Sequence, residues 1–164
     1  MTLTFQKQIE NRPTYFSEKI INGLLKSPNV NSIIKEQVEK YYKNKNGSFH
    51  TEKIKIHTIR QDKNNCWYIG QKIHFKEWEE KPYRSKTNQF APILKVTNIE
   101  TIQIKWNKKT KQVFVYINNQ LISDEEIIEL SKNDGFDNVI DFLEYFSEDF
   151  RGKIIHWTNF KYKK

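Results

Sequence analysis

The chain has 164 residues, a formal charge of +8, 14% aromatic residues and one cysteine. That length fits one domain, long enough to bury most of its apolar surface. The lone Cys66 excludes an internal disulfide and any zinc site built from several thiolates, and no other metal or cofactor motif is present. No apolar run reaches the roughly 20 residues of a membrane span. Met1 to Lys7 lacks the apolar core of a secretory signal, so a reduced, cytoplasmic setting without membrane contact is expected.

The charge points to a polyanionic partner, most often nucleic acid. Lysine supplies 24 of the 28 positive residues, a bias that AT-rich coding also produces. The distribution is more informative. Residues 119–150 hold ten carboxylates and one lysine, net −9, which leaves +17 on the rest. One acidic and one basic surface are expected.

Leu3-Thr4-Phe5 is a short first strand. Thr14 is placed to cap a helix with Glu18 near its first turn and Phe16, Ile20, Ile21, Leu24 and Leu25 at helical spacing. Ser27 to Asn31 breaks it. Ser32 to Lys43 reads as a second helix with Ile33, Ile34, Val38 and Tyr41 as its stripe, and 45–48 as a loop. Residues 27–52 therefore form a helical insertion ahead of a central strand: a lid, a nucleic-acid contact or a solvated helix.

The central stretch is Lys53-Ile54-Lys55-Ile56-His57-Thr58-Ile59-Arg60-Gln61-Asp62. It alternates polar and apolar as a half-buried strand does, and its polar groups are basic or nucleophilic. The plain alternative is an edge strand with a wet, basic face. Beyond it, Lys72 to Trp78 alternates as a strand, 79–89 is a polar loop, and 91–106 holds one or two strands with Val96, Ile99, Ile102 and Ile104 inward. Lys108 to Lys111 is a basic turn before the strand Val113 to Ile117, which ends at Asn118-Asn119. Ser123 caps a helix with Asp124, Glu125 and Glu126 in its first turn, interrupted at Asn133-Asp134-Gly135. A second helix, about 138–146, turns Val139, Ile140, Phe142, Leu143 and Phe146 to the core. Gly152 ends the helical region, and Lys153 to Thr158 is a last strand whose Ile154-Ile155 pair calls for a central place. The order is that of an α+β domain with a mixed, curled sheet.

Several of these pieces resemble the ASCH domain family of the PUA-like superfamily, most closely its longer phage and bacterial members. They are Thr14 to Ile20, Lys55 to Arg60, Gly70 to Phe75, Asn133 to Phe136 and Ile154 to Thr158, in order over nearly the whole of 1–164. The resemblance implies a PUA-like curled β-barrel with flanking helices, a cleft beside them, and recognition of RNA or a modified nucleotide or nucleoside. One ASCH branch hydrolyses N4-acetylcytidine with a Lys-x-x-Thr motif and a downstream glutamate. The match gives Lys55 and Thr58, and the acid falls on Asp134, one methylene shorter. Other members are described as ribonucleases.

Amide hydrolysis asks for a lysine whose pKa is lowered from about 10.4 by burial and nearby charge. Lys53, His57 and Arg60 are candidates to supply that charge. Residues three apart on a regular strand face opposite sides, so Lys55 and Thr58 act together only if the chain bends between them. In the competing reading, a binding module, Lys53, Lys55, His57, Arg60, Lys72 and Arg84 contact phosphates while Trp67, Tyr83 or Trp157 stacks on a base. His74 and His156 read as structural. A third reading is a phage-type protein-interaction factor with a protein partner on the acidic segment.

Overall fold

The computed structural model describes residues 1–28, 30–43 and 49–162. In chain order the elements are β1 (Thr2–Phe5), β2 (Gln8–Ile9), β3 (Arg12–Pro13), α1 (Phe16–Lys26), α2 (Ser32–Lys43), β4 (His57–Arg60), β5 (Lys72–Trp78), β6 (Thr87–Gln89), β7 (Leu94–Lys95), β8 (Asn98–Asn107), β9 (Gln112–Ile117), β10 (Gln120–Leu121), α3 (Asp124–Asn133), α4 (Val139–Tyr145) and β11 (Phe150–His156). The fold is α+β. Among the described residues the strands fall into a five-stranded sheet ordered β10-β9-β8-β11-β4, a four-stranded sheet ordered β1-β5-β6 with β7 on β5, and the small pair β2-β3. No closed ring of strand pairing joins them. No helix among the described residues is long and apolar enough to cross a membrane.

Two apolar clusters hold the structure together. One lies against the four-stranded sheet and contains Leu3, Phe5, Ile20, Leu24, Ile73 and Phe75. The other lies between the five-stranded sheet and α3–α4 and contains Ile102, Ile104, Val115, Leu130, Phe142 and Ile154. Each such side chain contributes roughly 1.5–3 kcal/mol through burial. β11 is the seam between them: Ile154 points into the second cluster and its neighbour Ile155 into the first. A strand covered on both faces carries consecutive rather than alternating apolar residues. The pair therefore occupies the central place expected, with β8 on one side and β4 on the other.

Local chemistry accounts for several boundaries. Ser123 and Glu126 form a reciprocal capping box at α3. Asn118 and Asn119 both take positive φ (51° and 65°), the geometry of the tight hairpin between β9 and β10. Other expectations are corrected. Thr14 does not cap α1; its hydroxyl donates to Gln6 O (2.6 Å), and the cap position is Tyr15, left-handed at φ 51° with no side-chain cap. The central strand is only His57–Arg60, because 53–56 bonds to α1 and α3 instead of to a strand. Thr87–Gln89 is a strand rather than loop. Ile33 and Ile140 are exposed, whereas Val38 of α2 is fully buried in the first cluster. The loop expected at 45–48 lies outside the described residues.

Gly152 sits inside β11 instead of closing the helical region. A Cβ there would collide with the carbonyl oxygen of Arg60 on β4 and approach the Phe150 ring to 2.7 Å. Gly152→Ala must therefore push β4 away from β11. We expect a loss of about 2–4 kcal/mol in urea denaturation, and an unchanged midpoint would show that the two strands separate freely there.

Candidate functional site

β4 is the edge of its sheet, and its free side faces α1 and the turn after α3. The residues leading into it are pinned by main-chain bonds: Lys55 N donates to Lys19 O (2.8 Å) and Ile56 N to Asn133 O (3.0 Å). α1 approaches this closely because it carries Gly23, where a Cβ would stand 2.7 Å from Lys55 O. The Lys55 stem then runs along Gly135, a left-handed glycine (φ 86°) whose added Cβ would lie 3.0 Å from Lys55 Cδ. At the end of this channel the amine is 1% exposed as a residue. It donates to Asp134 Oδ1 (2.8 Å) and to the Asp134 carbonyl, and it lies over the rings of Phe16 (4.7 Å) and Phe5 (5.9 Å).

Asp134 collects more than the lysine. Its Oδ1 also accepts from Ile59 N (3.1 Å), a free edge group of β4. His57 Nδ1 faces it at 3.5 Å, an ion-pair distance without hydrogen-bond alignment. His57 Nε2 meets the Tyr162 hydroxyl (2.8 Å), which also accepts from Asn133 Nδ2 (3.1 Å). His156, across the ladder from His57, has Nε2 2.9 Å from Glu100 Oε2, again close but out of line. Beside the pair, Lys19 Nζ donates to Gly135 O and Asp137 Oδ1 (both 2.8 Å), and Lys53 Nζ approaches the same oxygen at 3.0 Å.

Burial controls the protonation of this group. It pushes the Lys55 amine down from 10.5 to about 8, against the pull of Asp134 and aided by Arg60 and Lys19. Burial alone would raise the Asp134 carboxyl, but Lys55 and His57 hold it below the usual carboxylate value. Burial also takes His57 down from 6.5 to about 4, so at neutral pH it is an uncharged imidazole. The Tyr162 hydroxyl is raised by burial and stays protonated.

Two clefts are lined by Phe16, the ring that lies over the Lys55 amine. The first, about 80 Å³, is walled by Phe16, Phe136 and Tyr145, with Gly135 and Lys19 in its lining. At its rim Arg12 bonds Asp141 (2.7 Å), Glu10 (3.2 Å) and Glu144 (3.4 Å). The second, about 270 Å³, lies between Phe5, Tyr15, Phe16, Glu18 and Glu77. The end of the 27–52 segment is fastened to the same turn of α1: His50 stacks on Tyr15 (5.1 Å), and its Nδ1 and main-chain N bind the two Glu18 oxygens.

The residues singled out in the sequence are divided by the fold. Lys55 and Asp134 come together, with His57 beside them. Residues 53–56 leave the ladder, so Lys55 does not stand on one regular strand with Thr58. Thr58 shares a strand face with Arg60, whose guanidinium lies over Phe5 (5.4 Å) and donates to Thr4 O. Thr58 is buried as a residue, and no hydrogen bond ties its hydroxyl to another described residue. The phosphate-binding set is corrected. His57 is fully buried and Trp157 is a core ring edge-on to Phe75 (5.1 Å), so neither reaches a ligand at the surface. Lys53 is tied to Asp137. Lys72, Arg84 and Tyr83 are exposed, Tyr83 resting on Trp78, and Trp67 is half-buried against the first cluster. Among the described residues no group of three His, Cys, Asp or Glu is placed to hold a metal.

Sequence reasoning missed Lys19, Phe16 as the cover of Lys55, Asp137 and Tyr162. Lys19 had a signal, because it lies three residues after Phe16 on the buried face of α1. Tyr162 had none, since it arrives from an irregular tail.

Removing Lys55 alone strands a buried carboxylate. Lys55→Met should cost about 3 kcal/mol, and adding Asp134→Asn should restore at least half, because Asn keeps an acceptor for Ile59 N. Urea midpoints of both variants test this; a double variant no better than the single would show that the lysine stem, not the charge pair, matters. The His57 shift predicts a second effect. Between pH 6.5 and 4 the unfolded chain binds a proton that the folded imidazole refuses. Stability should fall across that window by roughly 3 kcal/mol. His57→Gln should flatten that slope in pH-dependent thermal denaturation.

No protein-family model matches the chain, and neither the curated proteins nor the solved structures contain a match.

Proposed function

We propose that this protein is an ASCH-type domain with a PUA-like curled sheet that recognises a nucleobase or nucleoside, including a modified one, in the cleft beside Lys55. The observation that carries this reading is the cleft of Phe16, Phe136 and Tyr145, whose lining includes Gly135, packed on the Lys55 stem, and Phe16, whose ring lies over the Lys55 amine. Flat apolar walls with a few fixed polar groups are what a planar heterocycle needs. Lys19, Asp137 and the Arg12 rim offer those groups. Carboxylates outnumber cations in the lining, with Glu10, Asp137, Asp141 and Glu144 against Arg12 and Lys19. An uncharged nucleoside therefore suits the cleft better than a phosphorylated one. The exposed Cys66 accords with a reducing cytoplasm.

A hydrolytic reading is favoured by the Lys55 amine, which burial brings to about 8, near the range in which a general base works. When the Phe16 ring swings aside, neutral Lys55 takes a proton from the Thr58 hydroxyl or a water, and the oxygen adds to the amide carbonyl. The C–N bond then breaks as the Lys55 ammonium returns that proton to the departing amine, and with Thr58 as nucleophile water hydrolyses the acyl ester left on it. Asp134 is held ionised, so it steadies the ammonium that forms rather than donating a proton.

Calorimetric titration with cytidine, N4-acetylcytidine and cytidine monophosphate tests both readings. We expect the nucleosides to bind, Tyr145→Ala to weaken them at least tenfold, and the monophosphate to bind less well. Silence with every nucleoside removes the recognition reading. Acetate release from N4-acetylcytidine, lost in Lys55→Met, adds catalysis; binding without release leaves recognition alone.

A further inference from the structure

The face of the five-stranded sheet that carries Thr58, Ile155 and Ile99 is covered by the first cluster only at that end. Further along the ladder the same face is open. Strand register gives the rows: Arg60, Lys153 and Thr101; then Arg151, Gln103 and Tyr116; then Lys105 and Phe114. Tyr116 also pairs with Leu121 of β10. Leu121 is 58% exposed and Phe114 36%. Neither Phe114 nor Tyr116 touches another described aromatic ring, and no helix of the described residues lies over them. The two rings stand two residues apart on β9, hence on one face and roughly 7 Å apart. Lys105 Nζ rests over the Tyr116 ring at 5.4 Å.

Beside the rings lies a groove of about 600 Å³ whose lining includes Gln61, Asp62, Lys63, Gln103, Arg151 and Lys153. Its cations and amides suit phosphate and sugar. Arg151, Lys63 and Lys105 have no carboxylate partner among the described residues. The carboxylates that border this face are already engaged. Asp62 binds Lys153 (2.7 Å) and the main-chain N–H groups of Cys66 and Trp67, and Asp149 accepts from Trp106 N (2.8 Å). Lys108, Lys109 and Lys111 extend the positive edge at the β8–β9 turn.

We propose that this open sheet face binds single-stranded nucleic acid, with bases stacked on Phe114 and Tyr116 and the backbone held by Lys63, Lys105 and Arg151. The geometry favours a single strand, because a duplex keeps its base faces inside the stack and offers nothing to two upright rings. An acidic protein would satisfy the cations but has no use for the ring spacing. The site is separate from the nucleoside cleft and does not depend on it.

Fluorescence anisotropy with a labelled 15-nucleotide mixed-sequence strand, as RNA and as DNA, and with the matched duplex tests the proposal. We expect the single strand to bind at least tenfold tighter than the duplex. The double variant Phe114→Ala/Tyr116→Ala should lose at least tenfold, and Arg151→Glu should lower the slope of log affinity against log salt by about 1. Tyr145→Ala, in the cleft, should leave strand binding unchanged. Arg151 and Phe114 are surface residues, so an unaltered thermal midpoint is expected in the Arg151 variant and shows that the fold survives. Equal affinity for duplex and single strand would overturn the proposal. So would wild-type affinity in the aromatic variant, or strand binding lost with Tyr145 rather than with Phe114 and Tyr116.

Discussion

One carboxylate oxygen holds the centre of this molecule. A sheet edge presents main-chain N–H groups that must find acceptors, and β4 ends its sheet inside the protein. Asp134 Oδ1 takes the place of a neighbouring strand by accepting from Ile59 N, and Asn133 O does the same for Ile56 N. A charged acceptor in that position needs a cation, and Lys55 supplies it from the turn into the same strand. Gly23, Gly135, the Phe16 cover and the two adjoining clefts then follow, because each makes room for the lysine stem or seals its amine. Structure and chemistry are therefore joined at one pair: the group that closes the edge is also the one whose protonation burial has shifted.

Much of the element order was legible, since long periodic segments such as α1, β5, β9 and β11 carry their pattern in adjacent residues. The central stretch misled because its alternation is real but has another cause. Lys55 and His57 occupy polar positions of a strand-like pattern and yet are buried. Their solvent is replaced by Asp134, Tyr162 and two aromatic faces, all supplied from 75 or more residues away in the case of Asp134 and Tyr162. Periodicity reads polarity as exposure and has no means of seeing a distant partner. Thr14 failed similarly: its hydroxyl prefers the Gln6 carbonyl, a contact created by the β1 turn.

The charge asymmetry acquires a location. The acidic run supplies Asp134, Asp137, Asp141 and Glu144, which bind Lys55, Lys19, Lys53 and Arg12 from the first third of the chain. Much of the negative charge is thus spent internally, tying α3 and α4 to α1 and the strand entry. Lys105 of β8 and Lys108, Lys109 and Lys111 of the turn that follows have no such counterparts among the described residues and give that end of the sheet its basic character.

The position of β11 between β8 and β4 also has a temporal side. The ladder joins residues as far apart in the chain as Arg60 and Lys153, and such distant pairings are slow to form because a long loop must close first. Until β11 emerges from the ribosome, β4 lacks its neighbour and β8 has one free edge. The two apolar clusters likewise lack the pair of isoleucines that they share. Until then the chain carries unpaired strands and open apolar faces. The late strand decides whether it becomes one cooperative body or an aggregate.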